Sequence, residues 1–231
     1  MAASLLVPGG VVNAQESPKP IETPAKKVEP GKHEIVALPF DPAKLAGISE
    51  KMIRSHHEKN YTGAVKNLNK VEEQIAATGK DTPGFLVSGL RERELTFTNS
   101  IILHEHYFAN LGGDGKPAGS VKDAIATAFG SYDRFEEQCR TVGASLGGGS
   151  GWTILNLNYH TGDLRLYWSG GHTHALAFGR PLLVMDMFEH AYQMDYGAAA
   201  TSYIDAFFKN LNWEEVDRRY QRAVKAMNAG K

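Results

Sequence analysis

Cysteine is nearly absent: Cys139 is the only one in 231 residues. An intramolecular disulfide is impossible, and thiolate-rich zinc or iron–sulfur sites are excluded. Neither sign of charge is in excess, since 25 Lys and Arg face 26 Asp and Glu for a net charge of −1. Nothing in that balance favours nucleic acid or an anionic membrane as a partner. The apolar run in residues 1–15 (MAASLLVPGGVVNAQ) is interrupted by Pro8-Gly9-Gly10 and is too short to span a bilayer. No internal repeat is evident. Histidine, in contrast, is plentiful, with nine residues, so a metal site built on imidazole is a reasonable expectation.

Residues 1–15 resemble the back half of a secretory signal, with Val12-Asn13-Ala14 as a cleavage-like end but no basic front region. The expected location is therefore periplasmic or secreted, and cytoplasmic otherwise. Residues 16–34 carry Pro18, Pro20, Pro24 and Pro30 among many Lys and Glu, and read as a flexible linker. Leu38-Pro39-Phe40-Asp41-Pro42 is an extended lead-in. Apolar spacing by threes and fours from Leu45 to Ile75 predicts one long helix, and Glu92–Asn110 predicts a second, stopped at Gly112-Gly113. Two such helices joined by a turn suggest an antiparallel hairpin.

Helices follow near Ser120–Phe129 and Ser131–Ala144, with Ser120 and Ser131 as expected N-caps. Trp152–Asn158 and Leu164–Trp168 alternate as a strand pair, and Pro181–Met187 reads as a third, buried strand. Tyr196–Lys209 and Trp213–Met227 close the chain as helices. The expected fold is α+β: a helical hairpin domain over residues 35–115, then an α/β domain over residues 116–228 with a small three-stranded antiparallel sheet.

The stretch from Met185 to Tyr192 holds the chemistry. Asp186 and His190 stand four apart, on one face of a helix, or aimed at one point from a strand end and the turn after it. A carboxylate oxygen beside an imidazole nitrogen suits Mn, Fe or Zn. Upstream, His56 and His104 fall on the two long helices and can face a common point if those helices pair. His33, His57 and His106 read as surface or hydrogen-bonded residues.

From about Ala37 to Tyr220 the chain resembles the iron/manganese superoxide dismutases. The resemblance rests on Leu38-Pro39-Phe40, HHEKNYTGAVKNLN (His56–Asn69), HEHYFANLGG (His104–Gly113) and GSGW (Gly149–Trp152). It continues in PLLVMDMFEHAYQMDY (Pro181–Tyr196) and the NLNW that ends at Trp213. It implies that His56, His104, Asp186 and His190 bind one Fe or Mn ion per subunit, with Fe preferred because Val184 replaces a glycine common in manganese-type relatives. It implies superoxide as substrate and a homodimer, or a tetramer, in which Glu189 of one subunit bonds His190 of the other. Phe188, Tyr192 and Trp152 are expected around the ligands.

The sequence departs from the family pattern nearby. The gateway tyrosine falls at Ala64, a histidine at Asn60, the solvent-binding glutamine at Gly148 or Ser100, a tryptophan at Phe188 and a tyrosine at Gln193. His174, then His172, then Tyr61 are the expected replacements for the missing solvent partner. A metal-binding relative with little or no turnover is the alternative reading.

Overall fold

The computed structural model describes residues 29–230 apart from 175 and 178. The leader-like residues 1–15 and most of the 16–34 linker lie outside them. A 3-10 turn at Pro42–Lys44 leads to α1 (Glu50–Ser55), capped by the Ser49 hydroxyl, which accepts from the Met52 amide. A π-helical segment, His56–Tyr61, joins it to α2 (Thr62–Ala76), and α3 (Gly84–Ala109) returns antiparallel along α2. The single helix expected over Leu45–Ile75 is thus two α-helices around a π turn. The second helix begins eight residues earlier than Glu92: residues 84–89 are largely exposed, so burial imposes no apolar spacing on them.

The second half holds α4 (Ser120–Phe129), α5 (Tyr132–Ser145), β1 (Trp152–Asn158), β2 (Leu164–Ser169) and β3 (Gly179–Asp186). It ends with α6 (Gln193–Tyr196), α7 (Ala200–Lys209) and α8 (Trp213–Ala229). Ser131 caps α5 by accepting from the Arg134 amide. Ser120 is not a cap: Gly119 occupies that position, and the Ser120 hydroxyl donates to Asp217 Oδ1. The expected Tyr196–Lys209 helix is split at Gly197, whose φ of +53° ends α6.

The sheet is antiparallel in the order β2-β1-β3. β1 is buried almost throughout, as a central strand between two partners should be. β3 is an edge strand, and its open side is covered from α3 and α8 instead of by a fourth strand. Asn110, at the end of α3, accepts from the Val184 amide at 2.8 Å through Oδ1 and donates to the Leu182 carbonyl through Nδ2. Arg219 on α8 donates to the same carbonyl. This side-chain clamp satisfies backbone groups that a buried edge would leave unpaired, and it ties the helix carrying His104 to the strand carrying Asp186.

Asn110→Ala is expected to strand the buried Val184 amide and lower unfolding free energy by about 1–3 kcal/mol. Denaturant titration of the two proteins checks this; equal midpoints and slopes would remove the clamp from the account.

Candidate metal centre

Four elements converge on one point. His56 opens the π segment, His104 lies near the end of α3, Asp186 ends β3, and His190 sits in a 3-10 turn at Glu189–Ala191. One donor atom from each lies within 4.8 Å of every other. Asp186 and His190 therefore use the strand-end-and-turn arrangement and not a helix face. His56, His104 and Asp186 are buried, while the His190 side chain keeps 26% of its surface exposed.

The donor atoms are prepared by their neighbours. His104 Nδ1 donates to the Ser100 carbonyl at 2.7 Å, which fixes the tautomer with a lone pair on Nε2. Asp186 Oδ1 accepts from the Phe188 amide at 2.8 Å, leaving Oδ2 for the centre. Tyr203 donates to the Asp186 carbonyl, so its backbone is anchored as well. His56 Nε2, His104 Nε2, His190 Nε2 and Asp186 Oδ2 are all buried without a hydrogen-bond partner in the chain. Four converging, unpartnered donors are what a divalent or trivalent first-row cation needs, and hard carboxylate with imidazole suits iron or manganese.

Electrostatics agree. Burial disfavours the charged form of Asp186, but His190 and His56 outweigh it and hold the carboxyl well below the usual carboxylate range. Burial lowers His56 and pushes His104 down to about 3, so both imidazoles are neutral and available as ligands at physiological pH.

The surrounding residues differ from expectation in two respects. His174 is exposed, its ring stacked 6.3 Å from that of Trp168, and it does not face the cluster. His172 does. Its Nδ1 accepts from Trp152 Nε1 at 3.2 Å, and its ring centroid lies 6.2 Å from that of His104. Asn99 holds the loop by donating to the His172 carbonyl. Phe188 is stacked between two imidazoles, His172 at 4.8 Å and His190 at 5.4 Å. The benzyl ring standing where relatives carry an indole is thus the slab on which His172 lies. Burial lowers the His172 pKa. Nothing in the local spacing separates His172 from His174; Gly171 and Ser169, whose hydroxyl donates to the Gly171 carbonyl, turn the loop so that only the former points inward.

Tyr61 is also placed differently from expectation. Its ring is buried beside Phe108 and 6.3 Å from the His104 ring, but its hydroxyl donates to Glu105 Oε1 and accepts from the Val36 amide. That hydroxyl is engaged away from the cluster. Ala64 is buried and supplies no polar atom in place of a tyrosine. Tyr192 accepts from the Gly148 amide and stacks on Tyr203, which positions the turn carrying His190. Trp152 is fully buried edge-on to His104. Glu189 is exposed. His57 and His106 bond the carbonyls of Val36 and Ile102, and His33 bonds Glu72, all outside the cluster.

Known proteins resemble the chain over both halves. Residues 32–112 match "Iron/manganese superoxide dismutases, alpha-hairpin domain" and residues 117–219 match the C-terminal domain of the same family. An iron superoxide dismutase of Cupriavidus metallidurans is 46% identical over 194 residues, covering 84% of this chain and 98% of that protein. One from Aquifex pyrophilus is 34% identical over 88% of this chain and 95% of its own length. A manganese superoxide dismutase of Halobacterium salinarum is 31% identical over 83% and 96% respectively. With both domains matched in order and the donors His56, His104, Asp186 and His190 gathered between them, the chain belongs to the iron/manganese superoxide dismutase family.

Proposed function

We propose that the protein disproportionates superoxide at a single iron or manganese ion held by His56, His104, Asp186 and His190. Two superoxide anions and two protons give one dioxygen and one hydrogen peroxide. A metal bound there would supply the one-electron redox couple that both half-reactions need. The observation that carries the reading is the set of four buried, unpartnered donors converging from both domains.

The protein's own groups orient and protonate. The Ser100 carbonyl and the Phe188 amide hold His104 and Asp186 in their ligating orientations. Trp152 donates to His172 Nδ1, so His172 in its neutral form carries its proton on Nε2. With its ring centroid 6.2 Å from that of His104, His172 is the residue whose N–H we assign to the role of the glutamine that Gly148 and Ser100 cannot provide. Val184, fully buried two residues before Asp186 in β3, is a branched side chain on the same sheet face and supports iron over manganese. Exposed Glu189 beside the partly exposed His190 supports a homodimer in which the two pair reciprocally across a two-fold axis. The leader-like residues 1–15 support an exported, periplasmic or secreted, location.

Metal analysis followed by direct superoxide decay tests the main reading. Stoichiometric metal with rapid decay is expected, faster with iron than with manganese on reconstitution; full metal content with no decay above background would select a metal-binding relative without turnover. Replacing any one of the four donors by Ala should leave below about a tenth of the wild-type metal, and His57→Ala should keep it.

Glu189→Ala is expected to loosen the dimer and weaken metal binding roughly 10–100-fold together. A wild-type protein that stays monomeric at about micromolar concentration in sedimentation would sink the reciprocal pairing.

His172→Ala should lower the decay rate roughly 10–100-fold with metal retained, while His174→Ala changes neither. Because burial lowers the His172 pKa, the ring charges below the ordinary histidine window. The rate should therefore hold level between about pH 6.5 and 8, and fall only in more acidic solution. A midpoint inside that interval that vanishes in His172→Gln would show an unshifted imidazole instead.

A further inference from the structure

Residues 31–36 run along the hairpin as an extended segment held almost wholly by side chains of one helical face. Asn69 on α2 clamps His33 twice: Oδ1 accepts from the His33 amide at 2.8 Å and Nδ2 donates to its carbonyl at 3.0 Å. Glu72 accepts from the Gly31 amide and from His33 Nε2. At the other end Tyr61 accepts from the Val36 amide and His57 Nε2 donates to the Val36 carbonyl at 2.7 Å. The expected linker up to residue 34 is therefore docked at Gly31 and His33. The docking is polar, not hydrophobic: Ile35 and Val36 are 45% and 55% exposed. A segment with several hydrogen bonds and little buried apolar surface opens locally at low cost without unfolding what lies beneath it.

What lies beneath is a small cavity of about 110 Å³, lined by Val36, Ala37 and Pro39 from this segment and by Tyr61, Glu105 and Phe108 from the helices. Its inner wall is the outer wall of the metal centre. The Phe108 ring packs 5.1 Å from His56 and 6.1 Å from His104, and Tyr61 lies 6.3 Å from His104. Tyr61 joins the two layers, because its hydroxyl bonds the segment above through Val36 and the helix below through Glu105, the neighbour of His104.

The π turn makes this junction possible. The Thr62 amide bonds the His57 carbonyl five residues back, so Tyr61 comes roughly one full turn after His56. Both side chains are fully buried on the inward side.

We propose that residues 31–37 are a hydrogen-bonded strap, latched by Tyr61, whose local release opens a path to the His56–His104 side of the centre and so sets the rate of metal exchange. The strap does not act in the chemistry and is not a metal ligand. It makes the loaded protein hold its ion kinetically, beyond what the four donors do at equilibrium. The inference rests on the proposed metal site, deepening that reading without altering it.

The test uses the full-length metal-loaded protein and Asn69→Ala, with Lys66→Ala on the exposed face of α2 as control. Metal content is measured first; then loss of the ion to a chelator in excess and hydrogen exchange at the Gly31, His33 and Val36 amides are followed together. Losing both Asn69 hydrogen bonds should speed exchange at His33 and Val36, and metal loss with it, about tenfold. The denaturation midpoint should move little and Lys66→Ala should match the wild type. Faster exchange at these amides with unchanged metal loss would overturn the strap as the route. So would unchanged exchange at both, or metal loss that speeds only in step with exchange throughout α2 and α3. Absence of metal from the wild type would instead remove the proposed function, and the strap's role with it.

Discussion

Asp186 is a carboxylate with no exposed surface, at the point where a strand from one domain meets two helical segments of the other. A charge so placed costs several kcal/mol unless a compensating positive charge is present. Burial lowers His56 and His104, so at physiological pH those two imidazoles offer lone pairs and not positive charge. A cation held by the four donors would supply that charge. Much of the rest can be understood as holding four donors open for it: Asn110 and Arg219 closing the edge of β3, Tyr203 bonding the Asp186 backbone, Tyr192 fixing the turn before α6. The metal, once bound, joins the domains through the ligands themselves, so binding contributes to folding.

The environment of the ligands is rebuilt with different parts. Where relatives place tyrosine, histidine and glutamine, this chain has Ala64, Asn60 and Gly148. In their place it stacks His172 on Phe188 and ties it to Trp152. An indole at position 188 would occupy more of the space that His172 uses, so the smaller ring and the added imidazole belong together. The same economy appears at Tyr61, which is near the old gateway in sequence yet serves the outer layer of the structure and not the centre.

The strands were readable from alternation and aromatic content, and Trp152–Asn158 appears with its expected bounds. Most helices were readable from apolar spacing. The π turn was not, because one extra residue in a hydrogen-bonded ring leaves the apolar pattern on either side intact. The first two turns of α3 were hidden by an exposed position that places no demand on periodicity. At the centre, histidine abundance and the Asp186–His190 spacing suggested metal, but only the family resemblance could join them to His56 and His104, which stand 130 and 82 positions before Asp186. The choice between His172 and His174 depended on a loop turn held by Ser169 and Asn99, a tertiary fact that neighbouring residues do not spell out.

Met185 and Met187 flank Asp186 and are fully buried. Helix α5 approaches so closely that a Cβ on Gly143 would fall 2.5 Å from Met185 Cε and 3.6 Å from Met187 Sδ. Thioethers are converted by peroxides to sulfoxides, which add an oxygen atom and a permanent dipole to the side chain. Both side chains are packed against this helix with no solvent-exposed surface. A protein whose product is hydrogen peroxide thus keeps the two thioethers beside Asp186 out of reach of solvent. Met194, half exposed just beyond the ligand turn, has no such shelter and, among the described residues, is the thioether most open to oxidation by that product.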